Sequence, residues 1–145
     1  MLGPEHHDTL TSMNNLASTY MDIGKREKGE ELGIRVVEIS ERVLGLEHPD
    51  TLTSISNLSL IYMEKGRWDK AEELGVRAME VRKRVLGQEH PSVLFSMYNV
   101  SSIWKSMGKL DVALQLLEEC VKLSEQILGV DHPIFRTFSE SLRTW

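Results

Sequence analysis

The sequence predicts an all-α chain built as a solenoid of stacked helical hairpins, and two observations carry that prediction. The string Leu44-Gly-Leu-Glu-His-Pro-Asp-Thr-Leu-Thr-Ser recurs upstream from Leu2, and in more diverged form from Leu86 and Leu128, at a constant spacing of 42 residues. Residues 2–43 and 44–85 are identical at 23 of 42 positions. Each period also carries two stretches of helical periodicity separated by glycine. A helix pair of this size cannot bury its own apolar stripe and must stack on its neighbours. The 145 residues therefore divide into repeat 1 (2–43), repeat 2 (44–85), repeat 3 (86–127) and a partial fourth repeat (128–145), read together as one domain spanning 1–145.

The first helix of each repeat is expected near Asp8–Asp22, Asp50–Glu64 and Ser92–Ser106. In repeat 2 its apolar positions Leu52, Ile55, Leu58 and Tyr62 follow the three–four spacing of one helical face. Pro49, Pro91 and Pro133 suit a first helical turn, where a missing N–H costs little. Gly24, Gly66 and Gly108 then punctuate, each followed by a basic residue, and suit a left-handed helix end. The second helix of repeat 2 runs from about Asp69 to Val85 with Ala71, Leu74, Ala78, Val81 and Val85 on one face, and Leu-Gly closes it. Repeat 1 departs from this scheme, because Gly29 stands where Ala71 and Ala113 stand and Gly33 follows four residues later. Each glycine costs a helix about 1 kcal/mol relative to Ala. That second helix is expected to be the weakest unless close packing offsets the loss.

Composition excludes several functions. Twenty-two acidic against 17 basic side chains give a net charge of −5 and a pI near 5.5, which argues against nucleic acid or an anionic membrane as partner. No apolar run approaches the roughly 18–20 residues needed to cross a bilayer. The start, Met1-Leu-Gly-Pro-Glu-His-His-Asp, lacks the basic and apolar regions of a signal peptide. The lone Cys120 suits a reducing compartment, so a cytoplasmic location is expected, with Cys120 acting as a buried small hydrophobe. No phosphate loop, nucleophile elbow or His-Glu-x-x-His is present, and neither catalysis nor a cofactor is expected. His6, His48, His90 and His132 recur once per repeat. That spacing separates them by at least about one helix diameter, roughly 8–10 Å, whereas zinc ligands lie about 2.1 Å from the ion. They read as turn residues before the helix-starting Pro. No metal site is expected, the adjacent His6-His7 pair included. The sequons at Asn57 and Asn99 fall inside helices and read as coincidental. Arg82-Lys83-Arg84 reads as a solvated helix end.

The spaced pattern Ile55, Leu58, Ser59, Tyr62, Gly66, Trp68, Ala71 and Ala78 resembles that of the tetratricopeptide repeat. It recurs as Met97, Val100, Ser101, Trp104, Gly108, Leu110, Ala113 and Cys120. The 42-residue form, with Glu-His-Pro-Asp before the first helix and Arg-Val-Leu-Gly after the second, resembles kinesin light chain. It also resembles the repeat arrays of fungal and bacterial signal-transduction ATPases. The resemblance implies a right-handed superhelix whose first helices line a concave groove that binds a peptide or partner protein. Carried over residue by residue, it places Asn15, Asn57 and Asn99 on that groove, with Asn14, Ser56, Leu60, Met63, Phe95, Tyr98, Ser102 and Lys105 beside them. A carboxamide offers two donors and an acceptor and pins a backbone without reading its side chains. The structural alternative is that the asparagines bridge adjacent first helices. Only Lys105 supplies positive charge on this face, so clamping of a partner's C-terminal carboxylate is not expected. Phe95 and Tyr98 are the expected anchors.

The rival function is a structural spacer, sensor or self-association arm of a larger protein. The partial fourth repeat carries Phe135, Phe138, Leu142 and Trp145 without a second helix, so its apolar stripe is expected to stand open and promote association into homo-oligomers. Met1 occupies the position of Val43 and Val85, and Trp145 falls inside a helix, so the chain reads as a cut through a longer array.

Overall fold

The computed structural model describes residues 7–145. His6 and the Leu2 start of the first repeat lie outside the described residues. Seven helices follow in order: α1 (His7–Asp22), α2 (Arg26–Leu44), α3 (Pro49–Glu64), α4 (Trp68–Leu86), α5 (Pro91–Ser106), α6 (Leu110–Leu128) and α7 (Pro133–Thr144). There is no strand among the described residues. The expected helix limits agree with these to within one residue. The chain forms two compact units, Met1–Ala78 and Met79–Trp145, and the division falls inside α4.

Helix boundaries follow directly from side-chain chemistry. At the starts of α3, α5 and α7 the imidazole Nδ1 of His48, His90 and His132 accepts a hydrogen bond from the backbone N–H of Asp50, Ser92 and Ile134 at 3.0, 3.1 and 3.1 Å. The recurrent histidine is thus an N-cap, and Pro occupies the next position. At the ends of α1, α3 and α5, Gly24, Gly66 and Gly108 take φ of 83, 74 and 82°. The following N–H reaches back to the carbonyls of Tyr20, Tyr62 and Trp104 at 2.8–2.9 Å, which is the Schellman closure.

In the first unit, α2 packs against both α1 and α3, and α1 also touches α3. Leu10, Val36 and Ile39 form one buried cluster, with Met13, Leu32 and Leu44 packed around it. Gly29 and Gly33 are buried. A methyl at Gly29 would stand 2.7 Å from Met21 Sδ and 3.2 Å from the Ala17 carbonyl oxygen; one at Gly33 would stand 3.1–3.2 Å from the tips of Ile61 and Leu58. The close packing that the sequence required as compensation is present at both positions. Hydroxyls tie the helices together: Thr51 donates to the Ser40 carbonyl at 3.2 Å and Ser59 to the Ala71 carbonyl at 2.7 Å.

In the second unit α6 packs against α5 and α7. Val93, Leu94, Met97, Val100 and Ile103 of α5 are fully buried, as are Ala113, Leu117 and Cys120 of α6. The Cys120 thiol donates to the Leu94 carbonyl at 3.3 Å. Burial, with a smaller contribution from the Glu119 carboxylate, pushes its pKa up to about 12.

Candidate functional site

Asn15 and Asn57 meet in the first unit. They line a cleft of about 110 Å³ between α1 and α3, together with Leu10, Thr11, Asn14, Asp50, Thr53 and Ser54, and Ser40 of α2 also lines it. Helical register explains the convergence, because Asn14 and Asn15 lie one turn from Thr11, and Asn57 one turn from Thr53 and Ser54. Asn14 is a bridge: its amide donates to Ser54 Oγ at 3.0 Å, and Ser54 in turn donates to the Asp50 carbonyl at 3.0 Å. Thr53 spends its donor on the Pro49 carbonyl at 3.0 Å. The carboxamides of Asn15, Asn57 and Asn99, by contrast, make no side-chain hydrogen bond among the described residues. The bridging expected of the asparagine series therefore belongs to Asn14, which the 42-residue period does not repeat, since Ser56 stands in its place.

Charge on this face has one sign. Neither α1 nor α3 contains Lys or Arg, while they carry Asp8, Asp22, Asp50 and Glu64. The cation just past α3, Lys65, is held by two carboxylates of α2, Glu30 and, at 2.9 Å, Glu27. Those hydrogen bonds, Glu30 first, raise its pKa above the ordinary lysine value. Burial likewise raises the Tyr62 phenol.

The other expected groove residues are distributed as follows. Ser56 and Met63 are half-buried and Leu60 is exposed on α3; on α5, Phe95 and Lys105 are exposed while Tyr98, Asn99 and Ser102 are half-buried. Two expectations change. Phe95 and Tyr98 already have a partner, because both rings pack on Phe138 of α7. The centroid distance is 6.2 Å edge-on for Phe95 and 4.8 Å stacked for Tyr98. Tyr98 Oη also shares a hydrogen bond of 2.8 Å with Ser141 Oγ. Phe138 is consequently buried and is not part of an open stripe. α7 lays its ring on α5 and leaves Phe135, Leu142 and Trp145 half-buried. Trp145 sits beneath the Lys105 ammonium, 4.8 Å from its ring centroid.

Arg82 also departs from a solvated helix end. It is half-buried and donates to Ser96 Oγ at 2.7 Å. Burial lowers its pKa. Sequence reasoning missed Ser40 and Asp50 as site residues. Ser40 breaks no periodicity, and Asp50 reads equally well as a helix-starting carboxylate.

Among the described residues, no group of three or more His, Cys, Asp or Glu side chains is placed to hold a metal. No helix among them is long and apolar enough to cross a membrane.

The tetratricopeptide repeat family model matches residues 8–74 and 53–126. Among solved structures, the chain is similar to a kinesin-light-chain-like array of nearly identical TPR-like repeats from Podosopora anserina. The TM-score is 0.83 at 30% identity, over 99% of this chain and 68% of that one. A variant of the same protein gives 0.85 at 31%, with the same coverage. BtubC (BKLC) from P. vanneervenii shares the fold at a TM-score of 0.84 and 19% identity, over 94% of this chain and 54% of that one. The N-terminal domain of stress-induced protein-1 (STI-1) from C. elegans scores 0.64 at 13% identity, over 94% and 95% of the two chains. No curated protein matches the sequence.

Proposed function

Because the chain belongs to the tetratricopeptide repeat family, whose repeats generally mediate protein–protein interaction, we propose that it docks a peptide segment of a partner protein on the first helices of its repeats. Asn15, Asn57 and Asn99 are the residues that hold the segment. One observation supports this most. These carboxamides recur once per repeat, yet none makes a side-chain hydrogen bond among the described residues, whereas the neighbouring Asn14 does. Asn14 shows what a structural carboxamide does on this face, donating to Ser54 Oγ at 3.0 Å. A binding function leaves its donors and acceptor for the ligand. The scaffold role needs no catalysis or cofactor, and a reducing compartment such as the cytoplasm suits Cys120.

The test is Asn57→Ala, screened against immobilised short peptides alongside urea denaturation. Lost peptide binding at unchanged stability supports the reading. Lost stability with binding retained removes it, as does a screen in which the native chain binds nothing tighter than millimolar.

A second reading, self-association, draws on a different surface from the one the sequence suggested. In the first unit, Leu16, Tyr20 and Leu32 line an open cleft of about 470 Å³ rimmed by Lys28, Glu31 and Arg35. Leu16 is 44% exposed there, whereas its repeat equivalent Leu58 is buried under α2. A second copy covering Leu16 would yield dimers by sedimentation that Leu16→Glu abolishes. A monomer at high concentration excludes it.

A further inference from the structure

The cleft between α1 and α3 contains a polar group that the fold leaves unsatisfied. The Ser40 hydroxyl is fully buried, has no hydrogen-bond partner, and belongs to a residue lining the cleft beside Asp50, Asn15 and Asn57. An orphaned buried hydroxyl costs about 1–3 kcal/mol. The cleft, at about 110 Å³, is larger than the ~30 Å³ that one water takes up in the liquid.

The repeat period indicates what fits there. Forty-two residues after Ser40 stands Arg82, and forty-two after Ser54 stands Ser96. In the second unit those two residues are in contact, with the Arg82 guanidinium donating to Ser96 Oγ at 2.7 Å. In the first unit serine stands in that place, as Ser124 does in the third repeat; but Ser124 donates to the Val121 carbonyl at 2.8 Å, whereas Ser40 has no partner and lines a cleft with Ser54. Where one repeat keeps a guanidinium of its own, the other keeps space, an orphaned hydroxyl and a carboxylate.

We propose that this cleft is a receptor slot for an arginine side chain of the docked partner segment, taking the place that Arg82 takes in the next repeat. The inference rests on the docking reading above and adds the partner's chemistry to it. A guanidinium brings five donors and no acceptor. The slot answers with the Asp50 carboxylate, the carboxamide oxygens of Asn15 and Asn57, and the Ser40 oxygen. A carboxylate accepts from several donors at once, so the partners Asp50 has within the chain do not exhaust it. An acidic ligand is disfavoured by the lack of Lys and Arg on α1 and α3. At the start of α3 the Asp50 N–H is already taken by the His48 cap. Lysine offers a smaller point charge that would leave part of the slot unfilled.

The experiment uses the isotope-labelled full chain and reads the side-chain amide signals of Asn15 and Asn57. Three probe sets are titrated: short unstructured peptides containing arginine, the same peptides with citrulline in its place, and acidic peptides. The arginine set is expected to shift both amides. Citrulline is isosteric and uncharged, and should bind about tenfold more weakly or worse, as the loss of a charge-assisted hydrogen bond requires. Asp50→Asn should erase that difference. Ser40→Arg, which restores the residue of the next repeat, should fill the slot from within and abolish arginine-peptide shifts while the fold is retained.

Equal binding of arginine and citrulline peptides, or equal shifts from acidic ones, overturns the slot and leaves the docking reading intact. Undiminished arginine-peptide shifts in a folded Ser40→Arg chain overturn the slot as well. Failure of every peptide to move either amide overturns both. Should Asp50→Asn fail to fold, the peptide series on the native chain still decides.

Discussion

Replacing Phe138 with Ala tests how the partial fourth repeat is held. α7 has 12 residues, and Phe138 is its one buried residue. The ring is 2% exposed and packs on Phe95 and Tyr98. Truncating a buried Phe to Ala costs about 3–5 kcal/mol, which includes the loss of these ring contacts. An isolated helix shorter than about 12–15 residues is marginal in water, so α7 has little stability of its own to set against that loss. The expected outcome is undocking of α7, not a uniform weakening of the second unit. Hydrogen exchange should show amides of Pro133–Thr144 exchanging close to the free-chain rate while those of α5 and α6 stay protected. Trp145 should lose its position beneath Lys105. Sedimentation should report more association as the faces of Phe95 and Tyr98 are uncovered. Unchanged α7 protection, or a stability loss below about 1 kcal/mol, would refute the reasoning, because half-buried Phe135, Leu142 and Trp145 would then suffice to hold the helix.

Two further outcomes follow from burial. Gly33→Ala adds a methyl 3.1–3.2 Å from Ile61 and Leu58. Overpacking costs about 1–3 kcal/mol against about 1 kcal/mol of helix propensity gained, so urea denaturation should show an unchanged or lower midpoint; a gain of the full propensity term would mean that the α2–α3 approach is not tight. The Cys120 thiol, pushed up by burial from an ordinary value of 9.0 to about 12 when folded, keeps its proton where the unfolded chain loses it. Its contribution to stability is therefore complete below pH 9 and is lost as pH rises towards 12. Unfolding free energy should fall by about 1 kcal/mol between pH 7 and pH 10, and Cys120→Ala, the residue found at the equivalent Ala78, should flatten that fall. A slope unchanged in Cys120→Ala would assign it to other groups.

Much of the fold is legible because its signals are local. His-Pro starts helices α3, α5 and α7 through an Nδ1 cap, and Gly24, Gly66 and Gly108 end α1, α3 and α5 by taking positive φ; neither needs a distant residue. The site is legible only in part. The family resemblance offered Asn15, Asn57 and Asn99 as a series beside Asn14 but could not say which carboxamide bridges, because that depends on where Ser54 lies across the helix pair. It also offered Phe95 and Tyr98 as anchors, and nothing in their own repeat shows that both rings rest on Phe138 while Phe95 stays 46% exposed.

The sequence by itself determined the repeat count through its 42-residue recurrence and the helix limits through caps and glycines one turn or one loop apart, and its spaced residue pattern resembled the family. Tertiary structure decided three other things: that Gly29 and Gly33 are packed and not merely weak, that α7 covers α5, and that Ser40 sits unsatisfied beside Asp50. Each depends on side chains from separate helices meeting in space. A sequence records the distances along the chain, and the cleft that Ser40 and Asp50 line appears only once the walls around it are in place.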